Sequence, residues 1–439
     1  MKKELGIIAL SLCALTFFSG CSLKINDPSL LRPPKTTGRE AQLESLIADT
    51  AHNSYKLKYP QSGEYRSAII TKDLNGDKKD EAIAFYREND NETATKMLVM
   101  YDAGKEWKIC GEFEIKLTDV DTVQFADIDY DGIEEIFAGF SSTGRNSNEL
   151  NIFSYNPKTH KAKHNDFKIN YSSFTTGDYD QDGGSEILTL NLESTDAGAC
   201  AVLTDYNKDK LYTLSKCDMD RNVTKYENAD SGLINKDTIG VAVDGLIENG
   251  YNSQIVYYNS SKRSLINYPI TMGKKTSDTA RAEKIYSTDI DHDGFIEIPV
   301  INNNSQKSDS DEENVAPIIS WSGLNTKKNK LQTKVKCVSN TAYGYYFKLP
   351  ESFSDTTVTT LSQDNRTMKI YSEKSNAPDR LIATFKIFDV GTSADDMGGY
   401  STLESYNQYI YTYKIEKNPP IYISEDTLKE NFALNDLSA

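Results

Sequence analysis

The chain has 439 residues, with 65 acidic and 49 basic side chains and a formal net charge of −16 at pH 7. This length is enough for two or three domains, each with its own hydrophobic core. The negative charge argues against nucleic-acid binding, because that function depends on basic patches that contact phosphates.

Residues 1–20 have the pattern of an export signal. Lys2 and Lys3 precede an apolar run from Leu5 to Phe18, and the sequence Ser-Gly-Cys, ending at Cys21, follows it. The run is shorter than the roughly 20 apolar residues that cross a membrane. Ser-Gly-Cys resembles the lipobox of bacterial lipoproteins. The resemblance implies cleavage before Cys21, acylation of its thiol and a lipid anchor on the extracytoplasmic face of a bacterial cell membrane. The alternative is an ordinary signal peptide that contains a cysteine.

The segment after the export signal is predicted to be a tether followed by a helix. Residues 21–36 contain the lipidated cysteine, are rich in proline and lack periodicity, as a tether does. Residues 37–62 are predicted to contain a short helix that begins with a capping box at Thr37 and Glu40. The apolar residues of this helix fall on one face: Leu43, Leu46, Ile47 and Ala51.

Residues 63–340 are predicted to be the main domain, and they contain four copies of one Asp-rich loop pattern. Oxygen-bearing side chains stand at positions 1, 3 and 5, and a glutamate stands at position 9, eight residues after the first Asp. The predicted side-chain ligands are Asp73, Asn75, Asp77 and Glu81; Asp127, Asp129, Asp131 and Glu135; Asp178, Asp180, Asp182 and Glu186; and Asp289, Asp291, Asp293 and Glu297. Position 7 is predicted to contribute its backbone carbonyl, from Lys79, Ile133, Gly184 and Phe295.

The loop pattern predicts metal binding. Carboxylates held this close repel one another, so a cation is needed to make the arrangement favourable. Hard oxygen ligands in a flexible loop suit calcium better than zinc or copper, so about four structural calcium sites are expected. The loops are not EF-hands, because position 12 holds no glutamate and the flanking segments have strand patterns. From residue 63 to residue 337 the chain resembles the FG-GAP/VCBS family of calcium-loop β-propeller repeats.

The spacing of the loops predicts a repeat architecture. They begin 54, 51 and 111 residues apart, so one copy is missing between the third and the fourth. The segment from Thr238 fits as a degraded copy that retains Asp244, keeps its hairpin and binds no metal. Four strand-like segments in each period of about 50 residues are typical of a propeller blade. The predicted fold is mainly β: a β-propeller of about five readable blades, followed by a small α+β domain. A β-sandwich array or an open stack are the alternatives.

Two cysteines form a candidate disulfide. Cys200 and Cys217 are equidistant from the centre of a predicted hairpin turn at 207–210, which would place them opposite each other. Export would place them in an oxidising environment. The alternative is that they are two small buried apolar residues.

Residues 341–439 are predicted to form the small α+β domain. Its opening, from Tyr343, resembles that of PsbP/Mog1-like domains, and its last helix is predicted to be capped near Ser424 and to carry Leu428 and Phe432. Seven tyrosines either line a sugar-binding face or pack between strands. They are Tyr345, Tyr346, Tyr400, Tyr406, Tyr409, Tyr411 and Tyr413.

Two classes of function agree with these patterns. The first is a non-catalytic surface lipoprotein whose calcium-stabilised propeller binds protein or glycan or serves as a scaffold. The second is a calcium-dependent, lyase-like enzyme that acts on polysaccharide, for which Arg145 and Lys161–Lys163 are the basic candidates. No catalytic residue is predicted, because the chain has four histidines and no nucleophile elbow or phosphate loop.

Overall fold

A computed structural model describes residues 38–144, 147–192, 198–208, 210–270, 273, 276–301, 313–353, 357–372 and 378–434. These residues form a mainly β fold of antiparallel sheets, as predicted, with two α-helices and two short 3-10 helices at Thr276–Thr279 and Pro378–Arg380. The export signal, Cys21, the tether and Arg145 lie outside the described residues. Within those ranges, none of the helices has the length and apolarity that a membrane crossing requires.

The N-terminal helix belongs to a small unit made of residues up to Ser54 together with Asp102–Lys108. Helix α1 runs over Arg39–Thr50, and Leu43 and Ile47 are buried on its predicted apolar face. Thr37 of the predicted capping box lies outside the described residues. The N-cap of the helix is Gly38, and within the described residues it has no side-chain cap hydrogen bond. The guanidinium of Arg39 pairs with Asp102 and lies 4.8 Å from the ring centroid of Trp107.

The second unit begins with four sheets in chain order. The first contains β1 (Tyr55–Leu57), β2 (Ile69–Lys72), β3 (Glu81–Glu88), β4 (Thr95–Asp102) and β5 (Trp107–Ile115). The second contains β6 (Asp119–Ala126), β7 (Glu135–Ser141), β8 (Asn148–Asn156) and β9 (Lys161–Tyr171). The third contains β10 (Ser173–Gly177), β11 (Glu186–Asn191), β12 (Cys200–Asn207) and β13 (Lys210–Asp218). The fourth contains β14 (Lys225–Asn235), β15 (Thr238–Ile247), β16 (Gly250–Asn259) and β17 (Ser264–Tyr268).

Each of these sheets is a meander in which consecutive strands pair. In the first sheet β1 and β2 both pair with β3 and together take the place of one strand. The second, third and fourth sheets have four strands each, in sequence order. Four strands in each period were predicted, and this part of the repeat prediction is confirmed.

Two further sheets follow. The fifth contains β18 (Ile298–Ile301), β20 (Ile318–Asn325), β21 (Lys330–Asn340), β22 (Tyr345–Lys348) and β28 (Phe432–Leu434). The sixth contains β19 (Glu313–Val315), β23 (Val358–Ser362), β24 (Thr367–Tyr371), β25 (Leu381–Asp389), β26 (Ser401–Tyr406) and β27 (Tyr409–Ile415). The expected domain boundary at 340/341 therefore falls between β21 and β22, two hydrogen-bonded strands of one sheet.

Helix α2 (Glu425–Asn431) precedes the last strand. The hydroxyl of Ser424 accepts a hydrogen bond from the backbone N–H of Thr427, and Leu428 is fully buried. The predicted N-cap of this helix is confirmed. Phe432 is the C-cap residue rather than a helical one.

The hydrophobic core lies between consecutive sheets. Phe85 of the first sheet packs with Phe140 and Phe153 of the second. Leu150 of the second sheet packs with Phe174 of the third. Further clusters join the third sheet to the fourth and the fourth to the fifth. Both faces of the middle sheets are therefore covered, which explains why strands such as β7 are apolar between their polar end residues, Glu135 and Ser141.

Candidate metal centres

The four Asp-rich loops occupy equivalent places in their sheets. Loop 1 (73–81), loop 2 (127–135) and loop 3 (178–186) each connect the first strand of a sheet to the second, and loop 4 (289–297) leads into β18. In every loop the glutamate at position 9 pairs with the residue that precedes position 1. The pairs are Lys72 with Glu81, Ala126 with Glu135, Gly177 with Glu186, and Thr288 with Glu297.

The backbone conformation is also shared. Positions 4 and 6 have positive φ in all four loops. The residues are Gly76 and Lys78, Tyr130 and Gly132, Gln181 and Gly183, and His292 and Gly294. Position 6 is glycine in three loops, where a side chain would be strained. Loop 1 differs, because its glycine stands at position 4 and Lys78 takes the left-handed conformation at position 6.

The acidic side chains hold this conformation through hydrogen bonds to the loop's own backbone. The carboxylate at position 1 accepts the N–H of position 6, with distances of 2.8, 2.9, 3.2 and 2.9 Å in loops 1 to 4. The carboxylate at position 5 accepts the N–H of position 7, at 2.8, 2.8, 3.1 and 2.9 Å. These hydrogen bonds help to position the acids within the loop. That the position-7 carbonyls bind metal stays a prediction.

The glutamate at position 9 is the buried member of each loop. Glu81 and Glu135 are each 3% exposed, and Glu186 and Glu297 are 0% exposed. One carboxylate oxygen accepts the backbone N–H of position 2, at distances from 2.7 to 3.4 Å. The side chains at position 2, which the sequence analysis did not single out, are also buried and anchor the loops: Leu74, Ile128, Tyr179 and Ile290. Their apolar character in all four copies was the available signal.

In two of these glutamates, the second carboxylate oxygen accepts no hydrogen bond from the described residues. Oε1 of Glu186 and Oε1 of Glu297 are buried without a hydrogen-bond partner among the described residues, and so is Oδ1 of Asp178. Burial, and then the charges of the loop aspartates, raise the pKa of Glu135, Glu186 and Glu297 to about 8. A buried anion with an unpartnered oxygen is unfavourable, and a bound cation would offset that cost.

The ligand atoms come together in three of the four loops. In loop 3, one oxygen from each of the four predicted acids lies within 4.8 Å of the others. In loops 2 and 4, the acids at positions 1, 3 and 9 do the same, while Asp131 and Asp293 are outside the groups. These donors are hard oxygens in flexible loops, so they fit calcium.

Loop 1 is different because Asn75 stands at position 3. Among the described residues, its acids do not form a group of three within that distance. The Nδ2 amide of Asn75 lies 3.4 Å from Oε1 of Glu81 and donates to it. Burial raises the pKa of Glu81 to about 7, less than in the other loops. Part of the need for a cation in loop 1 is thus met by the protein itself.

Neighbouring loops are linked by backbone hydrogen bonds. The N–H of Glu134, at position 8 of loop 2, donates to the carbonyl of Leu74 in loop 1 at 2.8 Å. The N–H of Ser185 in loop 3 donates to the carbonyl of Asp127 in loop 2 at 3.0 Å. The hydroxyl of Tyr130 in loop 2 also donates to Asp182 in loop 3. The loops therefore lie along one side of consecutive sheets.

The fourth sheet corrects the position of the degraded copy. The predicted hairpin is present as β15 and β16, but it is the second hairpin of its sheet. The place equivalent to a loop is the turn between β14 and β15, where the carbonyl of Asp237 accepts a bond from Gln181 at 3.2 Å and the carbonyl of Leu233 accepts the N–H of Ile296 at 2.8 Å.

Asp244 lies in a buried ion pair. Its carboxylate is 2.9 Å from the guanidinium of Arg281, and both side chains are fully buried. The backbone N–H of Ser287 donates to it at 2.7 Å, and the hydroxyl of Ser253 also donates. A protein cation and neutral donors thus satisfy this acid. That the fourth sheet binds no metal stays a prediction.

The remaining residues with chemical potential are two histidines, two candidate lysines and the tyrosines of the C-terminal strands. Two of the four histidines stack on aromatic rings: His160 on Tyr101 at 4.0 Å, and His164 on Phe153 at 4.6 Å. Lys161 and Lys163 are exposed on β9. Four of the seven tyrosines are buried in the core, so for them the alternative of packing between strands is confirmed: Tyr345, Tyr346, Tyr411 and Tyr413.

The geometric basis of the candidate disulfide was also wrong. The hairpin has its turn at 207–210 as predicted, but a bulge between Leu203 and Thr204 shifts the register. Cys200 lies opposite Asp218, and Cys217 lies opposite Ala201. Successive side chains of a strand alternate between faces, so a shift of one residue removes the facing arrangement that a disulfide needs.

Comparisons with known proteins give limited information. No family model and no curated protein matches the chain. Among solved structures, the chain is similar to Sqt1 of Saccharomyces cerevisiae, with 8% identity, 83% of this chain and 98% of that chain covered, and a TM-score of 0.36. It is similar to Sqt1 of Chaetomium thermophilum, with 9% identity, coverages of 79% and 92%, and a TM-score of 0.33. It is also similar to the rhamnogalacturonan lyase YesW, with 11% identity, coverages of 74% and 73%, and a TM-score of 0.30. These TM-scores are low, and nothing about function follows from them.

Proposed function

We propose that this protein is a non-catalytic binding or scaffold module whose consecutive sheets are stabilised by calcium in the Asp-rich loops. The observation that supports it most is the buried, unpartnered oxygen of Glu186 and of Glu297, each next to two or more other carboxylates. Such a group is costly without a cation and favourable with one. The backbone of each loop is already held by its own acids, so the fold supplies a prepared site.

The proposal extends to the family and to the cell surface. The loop spelling and the four-stranded meanders support an FG-GAP/VCBS-type β-propeller. The lipobox-like sequence supports a lipid anchor at Cys21 on the outer face of a bacterial membrane. In this arrangement the calcium loops are structural, because each bound ion fixes the connection between two strands. The stability of the module then depends on the calcium concentration.

Thermal unfolding tests the calcium part. The full chain carrying Cys21→Ser would be melted in excess calcium and then in chelator, with the bound metal measured by mass spectrometry. The proposal expects a higher melting temperature in calcium and ions bound at least at the three loops whose acids converge. Equal melting temperatures and no bound metal would contradict it.

Membrane fractionation tests the anchor. The wild-type chain and Cys21→Ser would be expressed in a bacterial host, and each would be measured in the membrane and soluble fractions. Loss of the acylated thiol should release the protein, because no other membrane attachment is proposed. A Cys21→Ser chain that stays in the membrane fraction would contradict a lipid anchor at this residue.

A further inference from the structure

A cavity lies between the fourth and fifth sheets, beside loop 4. Its volume is about 290 Å³, and its walls are the turn at 235–238, the end of loop 4 and the β20–β21 hairpin. The walls are held together: the amide of Asn235 donates to the hydroxyl of Thr326 at 3.2 Å, and the carbonyl of Leu233 accepts the N–H of Ile296 at 2.8 Å. Small-molecule sites have volumes of about 300–1,000 Å³, so the occupant is a small molecule or one unit of a larger one.

The charge of the cavity differs from that of the whole chain. Three lysines line it, Lys236, Lys327 and Lys334, in a protein whose net charge is −16. Lys334 lies 4.0 Å from Asp293 of loop 4. Within the part of the chain that the structure describes, Lys236 and Lys327 have no ion-pair partner, and both are exposed. The lining acids are Asp237 and Glu297, and the second belongs to the proposed calcium site. The cavity therefore favours an anion.

The neutral walls add hydrogen-bond donors. Asn325 donates one amide hydrogen to Oε1 of Gln332 at 3.1 Å, and Oδ1 of Asn325 accepts the backbone N–H of Lys328 at 2.9 Å. These bonds fix both amides and use their acceptors, which leaves the amide N–H groups of Gln332 to donate. Phe295 also lines the cavity and is its aromatic residue.

Lysines, amide donors and one aromatic ring together fit a hydroxylated ring that carries a carboxylate. The apolar faces of a sugar ring pack on an aromatic side chain, its hydroxyls accept amide hydrogens, and its carboxylate pairs with ammonium groups. We infer that this cavity binds a uronic-acid unit of an acidic glycan. The inference rests on the proposed function, since it assigns a ligand class to the binding module.

The test uses three small probes on the full chain carrying Cys21→Ser, in calcium. Glucuronate has the ring and the carboxylate, glucose has the ring alone, and acetate has the carboxylate alone. Binding would be followed by titration calorimetry or ligand-observed NMR. Glucuronate should bind at least about tenfold more tightly than glucose or acetate, because glucose lacks the charged group and acetate lacks the hydroxylated ring.

Matched lysine variants locate the site. The double variant Lys236→Gln/Lys327→Gln should weaken glucuronate binding at least about tenfold and leave the melting temperature in calcium unchanged, because both side chains are exposed. Lys328→Gln is the control, since Lys328 is an exposed neighbour that does not line the cavity. It should bind glucuronate as the wild type does.

Three results would overturn the inference. Acetate binding as tightly as glucuronate would mean an anion site without sugar recognition. Unchanged glucuronate binding in the double lysine variant would place the ligand elsewhere. If glucuronate does not bind to a protein that calcium still stabilises, the ligand assignment is wrong and the proposed function is unaffected. If calcium does not stabilise the protein, the proposed function itself is contradicted.

Discussion

Asp244 in the fourth sheet and Glu186 in loop 3 are both fully buried carboxylates, yet their surroundings are opposite. Asp244 accepts bonds from Arg281, Ser253 and Ser287. Glu186 accepts backbone N–H groups with one oxygen, has no partner for the other among the described residues, and faces three further acids.

The difference concerns where the compensating charge comes from. In the fourth sheet a guanidinium from the same chain offsets the burial of the acid, so that region does not depend on the solvent. In loop 3 the acids accept bonds from backbone N–H groups and from the hydroxyl of Tyr130, and they bring no cation with them, so the compensation that we propose is a bound ion. Stability of the two regions should therefore respond differently to calcium, and four substitutions together with one matched control test that contrast.

The largest effect is expected from Arg281→Met. It leaves the carboxylate of Asp244 buried without its partner, which costs about 3–5 kcal/mol in the free energy of unfolding. The loss should be equal in calcium and in chelator, as measured by denaturant unfolding. The double variant Asp244→Asn/Arg281→Met should recover part of it. A loss of stability that appears only in calcium would mean that the ion pair depends on the metal loops. The two regions would then not differ in their response to calcium.

Glu186→Gln should have an effect whose sign depends on calcium. In calcium at about 100 times the dissociation constant, loss of the site should lower the free energy of unfolding by about 3 kcal/mol. In chelator the same substitution should be neutral or stabilising, because it replaces a buried carboxylate whose pKa is raised to about 8 by burial. Denaturant unfolding under both conditions measures this difference.

Glu248→Gln is the matched control for Glu186→Gln. Glu248 is an exposed acid of the fourth sheet, outside the proposed metal groups, so its substitution should change little in either condition. Equal destabilisation of the Glu186→Gln protein in calcium and in chelator would show that Glu186 acts through the fold rather than through a cation.

Asn75→Asp should give a smaller change in loop 1. It adds a fourth acid where Asn75 now donates to Glu81, so calcium affinity should rise, and the stabilisation by calcium should increase by about 1 kcal/mol. In chelator the variant should be less stable than the wild type, because the added charge repels its neighbours. A variant with unchanged calcium stabilisation would mean that loop 1 does not bind the ion.

The smallest effect is expected from Tyr130→Phe. The hydroxyl of Tyr130 donates to Asp182 across two loops, and its removal should cost about 1 kcal/mol or less. Hydrogen exchange in loops 2 and 3 should increase, while the core strands stay protected. Unchanged exchange in both loops would show that this bond does not join them.

The local sequence pattern was enough to predict the loops, because four copies repeat oxygen-bearing side chains at the same spacing. The glutamate at position 9 always begins or precedes a strand. It was also enough for the hairpins at 207–210 and 238–259. The partner of Asp244 could not be predicted from the sequence, because Arg281 lies 37 positions later and nothing in the local pattern connects the two residues.

The other failures come from register and packing. A single bulge separates Cys200 from Cys217, and bulges leave no mark in the spacing of residues. The degraded copy was placed one hairpin late, because strands β14 to β16 have similar alternation and the first turn carries a single acid, Asp237, instead of the loop pattern. The buried tyrosines of the C-terminal strands look the same in sequence as exposed ones, and the packing of the sheets decides between the two.

The hydrogen bond from position 8 of one loop to a carbonyl of the preceding turn has a consequence for how such a chain can change in length. Loop 2 carries both halves of the connection, the N–H of Glu134 that reaches back and the carbonyl of Asp127 that the next loop uses. The fourth sheet lacks the four-acid loop pattern, yet the carbonyl of Leu233 in β14 accepts the N–H of Ile296 in loop 4. Gain or loss of a whole repeat of the kind formed by loop 2 would therefore keep a donor and an acceptor at each new junction, whereas a partial repeat would leave one of them unmatched.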